Sequence, residues 1–177
     1  LVYWMVDIHI THMNIERKDL LARVKEGLEA SPVVALLGPR QCGKTTLART
    51  LIQPDGGTYF DLENPRDEAR LQNPQLVLEN VHGLVVLDEI HRRPDLMPLL
   101  RVLADRRPIQ ARYLILGSAS PDLIRGASET LAGRIHFVNM GGFSLEEVGT
   151  EQTKRLWLRG GFPDSFLAPK IKASGKW

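Results

Sequence analysis

The sequence predicts an α/β fold: a central parallel sheet flanked by helices on both faces, in three layers. Short apolar runs bounded by turn residues, such as Val33-Val34-Ala35-Leu36-Leu37 and Leu84-Val85-Val86-Leu87, have the character of strands buried on both sides. Segments with apolar residues at helical spacing alternate with these runs, which implies parallel strands joined by helical crossovers. A glycine-bounded loop sits between the first such run and the helix that follows it.

The elements follow in order. Leu20, Leu21, Val24 and Leu28 recur at helical spacing, so residues 15–30 read as a helix that Ser31-Pro32 ends. Residues 33–37 are the first strand, 38–43 the loop and 45–52 the next helix. Thr58-Tyr59-Phe60-Asp61-Leu62 is a second strand. Residues 65–71 and 74–80 are short helices, each opened by proline, which suits a first helical turn. Residues 84–87 form a third strand ending in Asp88-Glu89. Residues 95–105 place Leu96, Leu99, Leu100 and Leu103 on one helical face, 113–116 are a fourth strand, and 135–138 a last one.

Composition narrows the functional classes. The chain has 177 residues, enough for one hydrophobic core, with 43% hydrophobic and 25% charged residues. A net charge of +2 gives no argument for nucleic acid or membrane binding. Cys42 is the single cysteine, so no internal disulfide forms, and no apolar run approaches the roughly 20 residues of a membrane helix. The cytoplasm is therefore the expected compartment. Met13 begins an ordinary amphipathic stretch. Residues 1–13 thus read as an N-terminal extension, native or not, 14–168 as the folded domain and 169–177 as a disordered tail.

Gly38-Pro39-Arg40-Gln41-Cys42-Gly43-Lys44-Thr45 matches the G-x-x-x-x-G-K-[ST] pattern in full, between a buried strand and a helix. A polyphosphate needs several backbone N–H donors converging on one point. Glycines at both ends let the chain wrap without a side chain in the way, and the next helix turns its positive end to the anion. Gly38 through Thr46 are thus the expected nucleotide contacts. Lys44 would reach the β- and γ-phosphates, and the Thr45 hydroxyl would ligate magnesium. Cys42 is either a thiolate favoured by Lys44 and the helix end or a filler whose backbone does the binding; we take the second.

Gly83 to Leu87 is an apolar strand ending in paired acids, and packing rarely demands that. At the carboxyl edge of a parallel sheet the pair faces the ligand crevice. Asp88 is the expected magnesium ligand, and Glu89 the base that orients and deprotonates a water. A helix N-cap is the alternative reading of the pair. A base for water also points away from phosphoryl transfer to a small acceptor.

The fourth strand runs into Gly117-Ser118-Ala119-Ser120. Ser118 is the candidate to hydrogen-bond the γ-phosphate or its attacking water, while Ser120 fits the cap of a helix begun by Pro121-Asp122. Arg134, at the end of Ser128 to Gly133, and Arg125 are candidates to place a guanidinium beside the γ-phosphate, within the chain or across a subunit boundary; a solvated arginine is the alternative for each. His82 and His91 have no partner at metal-ligand spacing, and His91-Arg92-Arg93-Pro94 reads as a solvated basic loop.

The ordered set of motifs resembles the bacterial and archaeal AAA+-type ATPases known as AAA_14 proteins, usually followed by a DUF4143 domain. The resemblance rests on Leu37-Gly38 through Leu47-Ala48, Phe60-Asp61-Leu62-Glu63, Leu87-Asp88-Glu89-Ile90, Leu116-Gly117-Ser118-Ala119-Ser120, Leu131-Ala132-Gly133-Arg134 and Leu158-Arg159-Gly160-Gly161-Phe162-Pro163. It implies a P-loop NTPase fold of AAA+ type, ATP with Mg2+ rather than GTP, and Ser118 in the sensor position. It further implies hydrolysis coupled to a conformational change; a nucleotide-dependent switch that barely hydrolyses, DNA-associated or not, is the alternative. A homo-oligomer, another protein or nucleic acid stay open as partners. Cys42 stands where the family more often has valine. Family members continue past Pro163 into a helical region and a C-terminal domain, so a fragment and a truncated gene product are both open readings of this chain.

Overall fold

The computed structural model describes residues 15–53 and 56–169. All of β1 (Val33–Leu37) is buried, because it lies inside a five-stranded sheet of order β2-β3-β4-β1-β5. Its neighbours are β4 (Ala111–Gly117), which sets Leu36 beside Leu116, and β5 (Ile135–Asn139), which sets Leu36 beside Val138. β3 (Gly83–Asp88) pairs with β4, and β2 (Gly57–Asp61) closes the far edge. Every pairing is parallel, as the apolar runs predict. The loops that follow the strands therefore gather along one edge of the sheet.

Strand periodicity sends alternate side chains into two cores. On one face Val34, Leu36, Val86, Leu114, Leu116 and Val138 pack against Leu20, Val24 and Leu28 of α1 (Lys18–Ala30) and Leu47, Ala48 and Leu51 of α2 (Lys44–Ile52). On the other face the partners of Val33, Ala35, Leu37, Val85, Leu87 and Ile115 come from α4 (Pro74–Glu79), α5 (Leu96–Ala104) and α6 (Pro121–Thr130). Together the layers are those of the expected three-layer α/β fold. The short helices start where the sequence marks them. Asn64 caps α3 (Pro65–Arg70), Asn73 caps α4 and Ser120 caps α6, each side chain accepting from a first-turn amide ahead of a proline start.

Two local expectations change. The first helix begins at Lys18 rather than at residue 15, and residues 15–17 are not helical. Beyond β5, where the periodicity predicts nothing, the chain forms α7 (Leu145–Val148), α8 (Thr153–Arg159) and α9 (Pro163–Phe166). Helices of one or two turns are too short to show an amphipathic period, although Ser144 and Glu147 do form a reciprocal capping box on α7. The extension over 1–13, and the tail over 169–177 apart from its first residue, lie outside the described residues.

Arg17 joins this last segment to the sheet. Its guanidinium donates to both carboxylate oxygens of Glu147 at 2.6 and 3.0 Å, and to the carbonyls of Gly141 (2.9 Å), Gly142 (3.1 Å) and Cys42 (3.3 Å). It also lies 5.5 Å from the Phe143 ring centroid. A Cβ on Gly142 would stand 2.6 Å from the Gly161 carbonyl carbon, and Phe143 donates its amide to the Gly161 oxygen. The Gly160-Gly161-Phe162-Pro163 stretch thus serves a close backbone crossing.

Two stability measurements check this packing. Leu114→Ala, in a central strand, is expected to cost about 3 kcal/mol in urea unfolding. Arg17→Ala leaves the nearly buried Glu147 carboxylate without its guanidinium and is expected to cost about 3 kcal/mol by the same assay. A loss under about 0.5 kcal/mol, the ordinary range of a surface change, would contradict either.

Candidate nucleotide-binding site

The loop between β1 and α2 is shaped by contacts that few residues allow. A Cβ on Gly38 would fall 2.1 Å from the Met140 carbonyl oxygen at the end of β5, so only glycine fits. Gly38 donates its amide to the Gly117 carbonyl of β4 at 3.2 Å, which pins the start of the loop. Gln41 and Gly43 take positive φ, at 63° and 100°, and turn the chain back into α2. Lys44, Thr45 and Thr46 are the first residues of that helix. Their amides have no intrahelical carbonyl to pair with and stand at its positive end.

Lys44 is buried, with 6% of its surface exposed, and donates its Nζ to the carbonyls of Gly38 (2.9 Å) and Pro39 (2.8 Å). The ammonium is thereby held inside the loop. Pro39, Arg40, Gln41 and Thr46 are exposed around the rim, and Arg40 lies 3.9 Å from Glu63. Cys42 is fully buried in the core under α2, which supports the filler reading, since a reactive thiol needs exposure.

The acidic pair arrives from β3, two strands away from β1. Neighbouring strands are about 4.8 Å apart, so the two strand ends alone would be about 10 Å apart. The first turn of α2 closes this gap: Thr45 Oγ1 donates to Asp88 Oδ2 at 2.7 Å. The Tyr59 hydroxyl donates to the same oxygen at 2.5 Å, and the Glu89 amide donates to Oδ1 at 2.9 Å. Asp88 is 4% exposed, a buried carboxylate whose lone pairs are met by three donors. Burial, then the hydrogen bond and charge of Asp88, hold the Tyr59 phenol well above its ordinary range, so it remains a donor at neutral pH.

Glu89 takes a left-handed backbone, φ 54° and ψ 47°, a strained conformation of the kind found at functional positions. Its Oε2 is buried and accepts no hydrogen bond among the described residues, although His91 Nδ1 stands 3.2 Å away. A buried carboxylate oxygen with spare acceptor capacity can take a proton from a water. Ser118 directly follows β4, half-buried, beside the start of the loop, and Ser120 caps α6 as expected.

The within-chain role considered for Arg134 requires a correction, and the role across a subunit boundary stays an expectation. Its carbonyl accepts from Val33 at the start of β1, so it stands at the opposite edge of the sheet, and its guanidinium pairs with Asp105 at 2.6 and 2.9 Å. A five-residue strand separates the two edges by about 16 Å, and Arg134 does not reach the loop of its own chain. Arg125 pairs with Glu129 on the exposed face of α6. In the basic turn His91, Arg92 and Pro94 are exposed, as expected, and Arg93 is half-buried. Arg93 pairs with Asp95 at 2.8 Å and reaches the Leu71 carbonyl, while His91 leans on Glu89. No group of three or more His, Cys, Asp or Glu that could hold a metal occurs among the described residues.

The contacts of Tyr59 with Asp88 and of Arg17 with Glu147 escaped the sequence reading. Tyr59 lies in an expected strand, and only the pairing of Asp61 with Asp88 brings it to the carboxylate. Arg17 precedes a helix and touches residues more than 120 positions away, which no local pattern encodes.

Comparison with known proteins agrees with this geometry. Residues 30–149, more than half of the chain, match the AAA domain family AAA_14. Two uncharacterized proteins, from Mycobacterium bovis and Mycobacterium tuberculosis, are each 51% identical over 168 residues; the match covers 95% of this chain and 38% of each relative. The chain therefore spans well under half the length of those relatives. A Walker-type ATPase of Pyrococcus abyssi superposes with a TM-score of 0.61 at 15% identity, over 92% of this chain and 70% of that one, a likeness of fold. No helix among the described residues is long and apolar enough to cross a membrane. With the glycine-bounded loop, the strand-end acids and the sheet order all in place, this chain belongs to the AAA domain family of P-loop ATPases.

Proposed function

We propose that the chain binds ATP with magnesium and hydrolyses it, and that turnover drives a conformational change. The observation that carries this reading is the 2.7 Å hydrogen bond from Thr45 to Asp88, which joins two motifs 43 residues apart into one oxygen-rich corner beside the loop. A hydroxyl and a carboxylate are hard oxygen donors of the kind magnesium takes, and a hydroxyl that donates to Asp88 keeps its lone pairs for a cation. Thr45 and Asp88 are the residues that would hold it. Bound there, magnesium would neutralise charge on the β- and γ-phosphate oxygens.

The remaining roles belong to the chain itself. The Gly38–Thr46 segment supplies amides to the phosphates, and the Lys44 ammonium exchanges loop carbonyls for phosphate oxygens. Glu89 orients a water and takes its proton through Oε2. Ser118 hydrogen-bonds the same water or the γ-phosphate. The loop following β5 touches the cradle at Met140 and, through Arg17, continues to α7–α9, so a change in the loop has a packed route to the last helices. Arg134 takes no part within one chain.

Phosphate release from MgATP tests the reading. Wild type should turn over. Lys44→Ala should lose nearly all activity, and Glu89→Gln should lose about 10²–10⁴-fold, the usual worth of a positioned base, while still binding nucleotide. Equal rates in all three would overturn hydrolysis at this site. Tight nucleotide binding without turnover in wild type would favour a nucleotide-dependent switch instead.

A further inference from the structure

Tyr59 is a half-buried phenol that no motif accounts for, yet it makes the shortest hydrogen bond at the site. Its hydroxyl and that of Thr45 donate to one oxygen of Asp88, at 2.5 and 2.7 Å, while the Glu89 amide holds the other at 2.9 Å. The carboxylate is thus held from three sides: by β2, by the first turn of α2, and by the backbone that follows β3. Strand alternation puts Tyr59 on the same sheet face as Val86 and Asp88, under α2. From α2, the Arg49 guanidinium lies 5.4 Å from the Tyr59 ring centroid and covers it. The phenol is therefore itself held in place, between the strand that carries it and the helix that carries Thr45.

We propose that Tyr59 is a positioning residue for the metal-bearing corner: its hydroxyl fixes the Asp88 carboxylate in the orientation in which Asp88 and Thr45 receive a divalent cation with the nucleotide. This rests on the reading of the site as a magnesium-nucleotide site. A carboxylate swings about its side-chain torsions unless donors fix it, and binding a cation to a swinging ligand costs the entropy of ordering it. Phenylalanine keeps the ring, its packing and the arginine above it, and removes the donor alone. The Tyr59 hydroxyl faces the Asp88 carboxylate and the Thr45 hydroxyl, the two groups that would receive the cation, so its effect should appear in the metal-dependent part of binding.

The test is calorimetric titration of wild type and Tyr59→Phe with the non-hydrolysable analogue AMPPNP, once in EDTA and once in excess Mg2+. For wild type, magnesium should tighten binding. For Tyr59→Phe that tightening should shrink by about tenfold, with the affinity in EDTA within about twofold of wild type, as expected for one hydrogen bond to a charged group. The unchanged EDTA value also reports that the variant is folded. An undiminished magnesium effect in Tyr59→Phe would overturn the inference, as would an equal loss in both buffers, which would make Tyr59 a packing residue. Should wild type bind AMPPNP with no magnesium effect at all, the magnesium reading of the site fails first and this inference with it.

Discussion

A lysine ammonium buried at the start of a helix has few ways to be satisfied. Lys44 manages it because the preceding turn folds back and presents the carbonyls of Gly38 and Pro39 to its Nζ. That turn exists only because Gly38 can lie against the Met140 carbonyl, where a Cβ would collide at 2.1 Å, and because Gln41 and Gly43 accept positive φ. The same turn sets the free amides of the first turn of α2 around one point and places Thr45 against Asp88. The other functional contacts depend on this backbone path.

The sheet supplies the second constraint. Parallel pairing in the order β2-β3-β4-β1-β5 brings the ends of β1, β3 and β4 to one edge, with β4 between the other two. The loop after β1 leans on Gly117 of β4, and α2 crosses over to reach Asp88 of β3. Arg134 shows the reverse consequence: a residue just before a strand is carried to the far edge, whatever its motif suggests.

The strands, the loop and the acidic pair were legible because each is a local pattern: unbroken apolar runs, glycines at fixed spacing, two acids closing a strand. α1 and α5 showed their period, α3 and α4 showed their proline starts, and α6 showed its Ser120 cap. The last helices did not, being one or two turns long and held by long-range contacts such as the Arg17–Glu147 pair. Tyr59 was hidden for a different reason. Its strand was expected, but which residue faces Asp88 follows from the register between β2 and β3, and one residue of slip would turn the phenol to the opposite core. His91 is exposed, as a solvated loop implies, and its approach to Glu89 follows from the strained turn at Glu89, which no local pattern encodes.

The central claim is that the backbone between Gly38 and Thr45 receives the phosphates. It is tested most directly by amide chemical shifts of the 15N-labelled chain titrated with AMPPNP and Mg2+. The account predicts that the amides of Gly43, Lys44 and Thr45 move most, with saturable dependence on ligand. Shifts confined to other surfaces, with these three amides unmoved, would contradict it.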